Sequence, residues 1–136
     1  MTILLIDGQG GALGKELAKR ILAELPDADL LAVGTNSIAT SSMAKAGVKN
    51  FATGENSVIV EARKADVIVG PVGIVIADAL MGEVTPAMAK AVGQSSAKRV
   101  LIPMNKCDTV IAGVKDSGTK ELLDDAMQKI KDILKG

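Results

Sequence analysis

At 136 residues, 48% of them apolar, with 16 basic side chains balancing 16 acidic ones, the chain has the composition of one globular domain and not of a disordered segment. Zero formal net charge, with no Lys/Arg cluster, excludes the electrostatic footprint of a nucleic-acid or anionic-membrane binder. A single cysteine excludes an internal disulfide and a zinc–thiolate cluster, and the absence of His, Tyr and Trp excludes Ser–His or Cys–His catalysis, His-ligated metal and a tyrosine acid. Acid–base chemistry would fall to Asp, Glu, Lys, Cys107 or a bound cofactor. The N-terminus lacks a basic start and a small-residue cleavage site. The longest apolar region, Val67 to Met81, is interrupted by Gly70, Pro71, Gly73 and Asp78, too short and broken to cross a bilayer. These features point to a protein of the reducing cytoplasm.

The chain opens on an apolar run without alternation, Thr2 to Ile6, which suits a strand buried on both faces of a parallel sheet. Glycines follow at once, and then a helix with Leu13, Leu17, Ile21 and Leu25 on one stripe, ended by Pro26. Leu30 to Gly34 reads as a second buried strand and Ile38 to Ala46 as a short helix. Val48 to Ala52 is a weak third strand, and the polar loop Thr53 to Ser57 offers Asn56 or Ser57 as a cap for the helix running to about Lys64. Asp66 to Gly70 is a fourth strand. Ile74 to Met81, apolar all round, predicts a buried helix; Thr85-Pro86 starts another. Arg99 to Pro103 is a fifth strand. The short gap before Val110 to Val114 leaves no room for a crossover helix, so a sixth strand is expected antiparallel to the fifth. Leu122/Leu123, Ala126/Met127, Ile130 and Ile133/Leu134 mark a last helix. The expected architecture is α/β: a single doubly wound Rossmann-like domain over residues 1–136, with a mostly parallel sheet and an antiparallel last strand.

Ligands of such sheets sit beyond the carboxyl ends of the strands, and each polar or glycine-rich segment here directly follows a strand. Gly8-Gln9-Gly10-Gly11-Ala12-Leu13-Gly14 resembles the dinucleotide fingerprint of Rossmann-type proteins. Small residues let the backbone approach a pyrophosphate, and the helix N-terminus offers N–H groups and partial positive charge. The spacing Gly8-x-Gly10-x-x-x-Gly14 is one residue longer than the standard form, with Leu13 where a small residue is expected. A P-loop fails, because Gln9 and Glu16 stand where glycine and a hydroxyl residue are needed. Asp7, just before the loop, is a candidate for a magnesium ion or a ribose hydroxyl, or a cap for the loop itself. Thr35, Asn36 and Ser37 occupy the place of the ribose-binding acid of NAD proteins; with no acid there, NADP is favoured over NAD, and helix capping is the competing role.

Gly70, Pro71 and Gly73 form a second glycine turn, a candidate wall against a base or nicotinamide or a site of close strand–helix packing. Asn105, Lys106 and Cys107 are candidate ligand contacts, Lys106 being placed to favour a Cys107 thiolate, although a lone cysteine is commonly a small buried hydrophobe. Glu55, Asn56 and Glu83 complete the candidates, the two carboxylates as bases or as solvated side chains. The sum points to a dinucleotide-binding protein, an oxidoreductase or its cofactor-binding part, completed by a homo-oligomer or a partner protein. The alternative is a non-enzymatic regulatory module that senses a nucleotide or small phosphorylated ligand.

The ordered set Asp7-Gly-Gln-Gly-Gly11, Gly34 to Thr40, Thr53-Gly-Glu-Asn56, Gly70-Pro-Val-Gly73, Gly82 to Pro86 and Leu101 to Cys107 resembles a small bacterial family of unknown function, often met in anaerobes. The resemblance spans nearly the whole chain. It implies a Rossmann-like fold and a cytoplasmic location, and it brings no activity.

Overall fold

The computed structural model describes residues 1–104, 108–115 and 117–136. Five strands, β1 (Thr2–Asp7), β2 (Asp29–Gly34), β3 (Asn50–Thr53), β4 (Val67–Pro71) and β5 (Lys98–Ile102), form one sheet in the order β3-β2-β1-β4-β5. Every pairing is parallel. Five helices accompany them: α1 (Ala12–Glu24), α2 (Ser37–Lys45), α3 (Glu55–Ala62), α4 (Pro86–Gln94) and α5 (Thr119–Lys135).

The unbroken apolar run of β1 has its cause in this order. The strand is central, with Leu4 beside Leu31 of β2 and Ile68 of β4, and helices cover both of its faces. Ile3 and Leu5 pack with Leu17 and Ile21 of α1, Met43 of α2 and Met127 and Ile130 of α5. Leu4 and Ile6 face the other way, onto Val58 of α3, Ile74 and Met88 and Val92 of α4. Helices on both faces make the sheet doubly wound, and each such fully buried side chain contributes roughly 1.5–3 kcal/mol relative to exposure.

Local chemistry sets the helix ends. Asn36 caps α2 by accepting from the Ala39 N–H at 2.9 Å. Thr85 caps α4 by accepting from the Met88 N–H at 3.1 Å, and Pro86 takes the first helical position, where no N–H is required. α5 follows the expected stripe, burying Leu123, Ala126, Met127 and Ile130. Arg20 ties α5 to α1, its guanidinium reaching Glu24 and Asp124 at 2.8 Å each, while Lys131 reaches Glu24 at 2.6 Å.

Three expectations are corrected. The antiparallel sixth strand is absent: residues 108–115 form no strand, and Val110 is 91% exposed, so its β-branched run has no sheet face to bury. The sheet ends at β5 and is all parallel. The segment predicted as a buried helix over Ile74 to Met81 is a 3-10 turn (Val72–Val75) followed by tight turns. Asp78, Leu80 and Met81 each take positive φ there, at 66°, 57° and 57°, which a right-handed helix cannot contain. Finally, α3 begins at Glu55 behind Gly54, whose φ of 104° turns the chain, so neither Asn56 nor Ser57 is the cap.

Candidate functional site

Because all five strands are parallel, their carboxyl ends share one edge, and the order reverses direction between β1 and β4. Open α/β sheets take ligands beyond the strand ends at such a reversal. The Gly8–Gly14 loop borders it directly.

Within the loop, Gly11 and Gly14 are required for different physical reasons and Gly10 is not sterically required. Gly11 is the left-handed N-cap of α1 at φ 77°, and a Cβ on it would lie 2.8 Å from the Ala39 Cα. A Cβ on Gly14 would lie 2.7 Å from the Met43 sulfur and 2.8 Å from the Asp7 Cβ, so this glycine lets α1 rest against β1 and α2. Gly10 has nothing within 4 Å and is exposed.

Asp7 is buried under the loop and organises it. Its two carboxylate oxygens accept from the Gly8 N–H at 2.8 Å and the Gly14 N–H at 2.7 Å. Burial pushes its pKa above the ordinary value, against the lowering effect of these two bonds, and the nearby Glu83 charge adds to the rise. Among the described residues, the N–H groups of Gly10, Ala12 and Leu13 donate to no protein acceptor.

The second carboxylate arrives from a distant part of the chain. Glu83 Oε1 accepts from the Gln9 N–H at 2.8 Å, the Thr35 hydroxyl at 2.7 Å and the Asn36 side-chain amide at 2.7 Å. Burial alone would raise the Glu83 pKa, but the three donors outweigh it and hold the carboxyl below its ordinary value. Asn36 also donates to the Gln9 carbonyl at 3.0 Å, and Ser42 donates to the Gly10 carbonyl at 2.8 Å, so the β1 and β2 loops are joined.

The structure therefore brings Asp7, Gly8, Gln9, Gly10, Gly11, Gly14, Thr35 and Asn36 together around Glu83. Ser37 is the exposed first residue of α2 and lies beside this group. Gly70, Pro71 and Gly73 are buried; a Cβ on Gly70 would run into the Ile6 carbonyl oxygen, so that position serves close packing of β4 on β1. Glu55 and Asn56 are exposed in the first turn of α3, behind edge strand β3, and make no hydrogen bond to the cluster. Asn105, Lys106 and Cys107 lie outside the described residues. Glu83 is legible in sequence only as a candidate base; its partners lie 47 to 74 positions away, and no local pattern signals the contact. Two grooves lie apart from the cluster, one of about 700 Å3 between β5 and α5 and one of about 570 Å3 between α3 and α4.

A family model described as a domain of unknown function (DUF3842) matches residues 2–135. The chain belongs to this family. No curated protein matches it. Among solved structures, the DUF3842 chain is similar to a dodecameric FMN-dependent Ubix-like decarboxylase from Escherichia coli O157:H7, at 19% identity and a TM-score of 0.46, over 98% of this chain and 76% of that one. Among the described residues of the DUF3842 chain, no helix is long and apolar enough to cross a membrane.

The expectation of NADP or NAD is corrected. The lack of an acid after β2 favours NADP in the sequence, and the fold reverses that premise: Glu83 places a carboxylate on Thr35 and Asn36, where it opposes a 2′-phosphate. Asp7 takes the Gly8 and Gly14 N–H groups that a dinucleotide's pyrophosphate would need.

Proposed function

We propose that this DUF3842 chain is a ligand-binding module that takes a nucleotide or other small phosphorylated ligand at the Gly8–Gly14 edge and passes the bound state on through its assembly. The observation that carries this reading is the set of N–H groups of Gly10, Ala12 and Leu13, without protein acceptors among the described residues, at the N-terminus of the 13-residue α1 and beside the strand-order reversal. The Asp7 bonds engage the Gly8 and Gly14 N–H groups and leave these three unengaged by that carboxylate. The lack of His and Tyr favours sensing over turnover.

Homo-oligomerisation is part of the proposal. Ile38 and Met81 are large, apolar and exposed, and both lie close in sequence to cluster residues, so a neighbouring copy seated there would feel the occupancy of the site.

The test pairs native mass spectrometry of freshly purified protein with thermal-shift titration against a panel of phosphorylated ligands, flavin mononucleotide and inorganic phosphate included. A saturable response in wild type, absent from a folded Gly10→Asp variant, is the expected outcome. No response at millimolar ligand overturns the reading. An equal response in Gly10→Asp shows that the loop is not the site.

A further inference from the structure

The most unusual arrangement in the molecule is the strap of residues 76–84 between the 3-10 turn and α4. It folds back onto the loops after β1 and β2 and delivers Glu83 to three donors drawn from them. A backbone N–H, a hydroxyl and a side-chain amide converge on one carboxylate oxygen, all at 2.7–2.8 Å. Such a triad of uncharged donors is an oxyanion receptor, and among the described residues no lysine or arginine takes part in it. A carboxylate held this way by its own chain is an intramolecular ligand.

We propose that the Gln9 N–H, the Thr35 hydroxyl and the Asn36 amide form the terminal-anion subsite of the ligand, and that Glu83 is a built-in competitor which a phosphate group must displace. The inference rests on the ligand reading above and adds to it how the site is regulated. The strap is suited to exchange. Its own turns survive release of the Glu83 side chain, because Asp78 N–H to Val84 carbonyl (2.7 Å), Val84 N–H to Ala79 carbonyl (3.1 Å) and Gly82 N–H to Asp78 carbonyl (3.0 Å) are backbone bonds. Ala79, Leu80 and Val84 remain anchored in the core. Glu83 is only partly buried, so it has a path to water. A phosphate entering while Glu83 stays would add negative charge beside both Glu83 and the buried Asp7, so entry and departure are coupled.

The experiment titrates inorganic phosphate against chloride at constant ionic strength, reading thermal stability and binding heat for wild type, Glu83→Ala and Glu83→Ala/Thr35→Val. If Glu83 holds the donors in nine molecules of ten or more, its removal tightens the apparent phosphate Kd by at least about tenfold. The added Thr35→Val change is expected to reverse most of that gain. Glu83→Gln, which keeps the shape but removes the charge, guards against a misfolded alanine variant and is expected to show a smaller gain of the same sign. A Glu83→Ala protein that melts cooperatively yet binds phosphate no better than wild type overturns the exchange. So does a gain indifferent to Thr35→Val. Either result leaves the ligand reading to its own panel test, since a nucleotide can still bind at Gly10, Ala12 and Leu13.

Discussion

Glu83 accepts a hydrogen bond from the Gln9 backbone N–H at 2.8 Å, across 74 positions of sequence. This contact joins the loop after β1 to the connection after β4, the two segments that flank the strand-order reversal. It converts an open glycine turn into a site with a carboxylate already seated in it. Its consequences for stability, pH response and packing are measurable.

The two carboxylates of the cluster are expected to respond to pH with opposite signs. Glu83 has a lowered pKa, so its stabilising contribution is present above the ordinary glutamate value and is lost as pH falls through its folded value. Asp7 has a raised pKa, so its contribution is present below the ordinary aspartate value and is lost as pH rises through its folded value. Urea unfolding between about pH 3 and pH 7 should show Glu83→Gln flattening the acid-side loss and Asp7→Asn flattening the loss on the other side. Identical pH profiles for wild type and both variants would contradict these assignments.

Asp7→Ala should be among the more destabilising single changes in the loop. It leaves the buried Gly8 and Gly14 N–H groups without acceptors and opens space beneath the turn. The expected loss is roughly 2–4 kcal/mol by denaturant unfolding. Asp7→Asn keeps one accepting oxygen and should lose less.

The glycines of the loop should separate sharply. Gly14→Ala drives a Cβ to 2.7 Å from the Met43 sulfur, and overpacking of this kind typically costs about 1–3 kcal/mol. Gly10→Ala has open space around it and should leave the melting temperature nearly unchanged. Equal destabilisation by the two would mean that α1 does not approach β1 and α2 as closely as described.

Met81→Gly tests the strain in the strap. Met81 is 93% exposed, so its removal sacrifices little packing, and glycine accepts φ 57° without a steric penalty. Stability should rise by about 0.5–1 kcal/mol, seen as a higher Tm. A fall in Tm would show that the left-handed turn is not strained or that Met81 is covered by a neighbouring copy in solution.

The sequence discloses most of the fold because burial leaves local marks. Unbroken apolar runs such as Ile3 to Ile6 mark strands covered on both faces, and the i, i+4 stripe from Leu13 to Ile21 marks α1. Thr85-Pro86 marks the start of α4 through capping chemistry alone. The failures occur where tertiary contacts override local pattern. Ile74 to Met81 is apolar enough for a buried helix, yet Ile74, Ala79 and Leu80 reach the core through a 3-10 turn and left-handed turns while Met81 stays exposed. Val110 to Val114 has strand-forming composition but no neighbour to pair with. The glycine loop is readable as a candidate cradle from its own residues. The carboxylate seated in it is not, because Glu83 acquires its role only when the strap folds back onto Gln9, Thr35 and Asn36.

The most direct test of the central claim is amide chemical-shift mapping on 15N-labelled wild-type protein titrated with the phosphorylated ligand that gives the strongest thermal shift. Saturable shifts are predicted at Gly10, Ala12 and Leu13, with the Gln9 and Asn36 side of the cluster moving as Glu83 is displaced. Shifts confined to the groove between β5 and α5 or the groove between α3 and α4, with the Gly8–Gly14 loop unmoved, would contradict it.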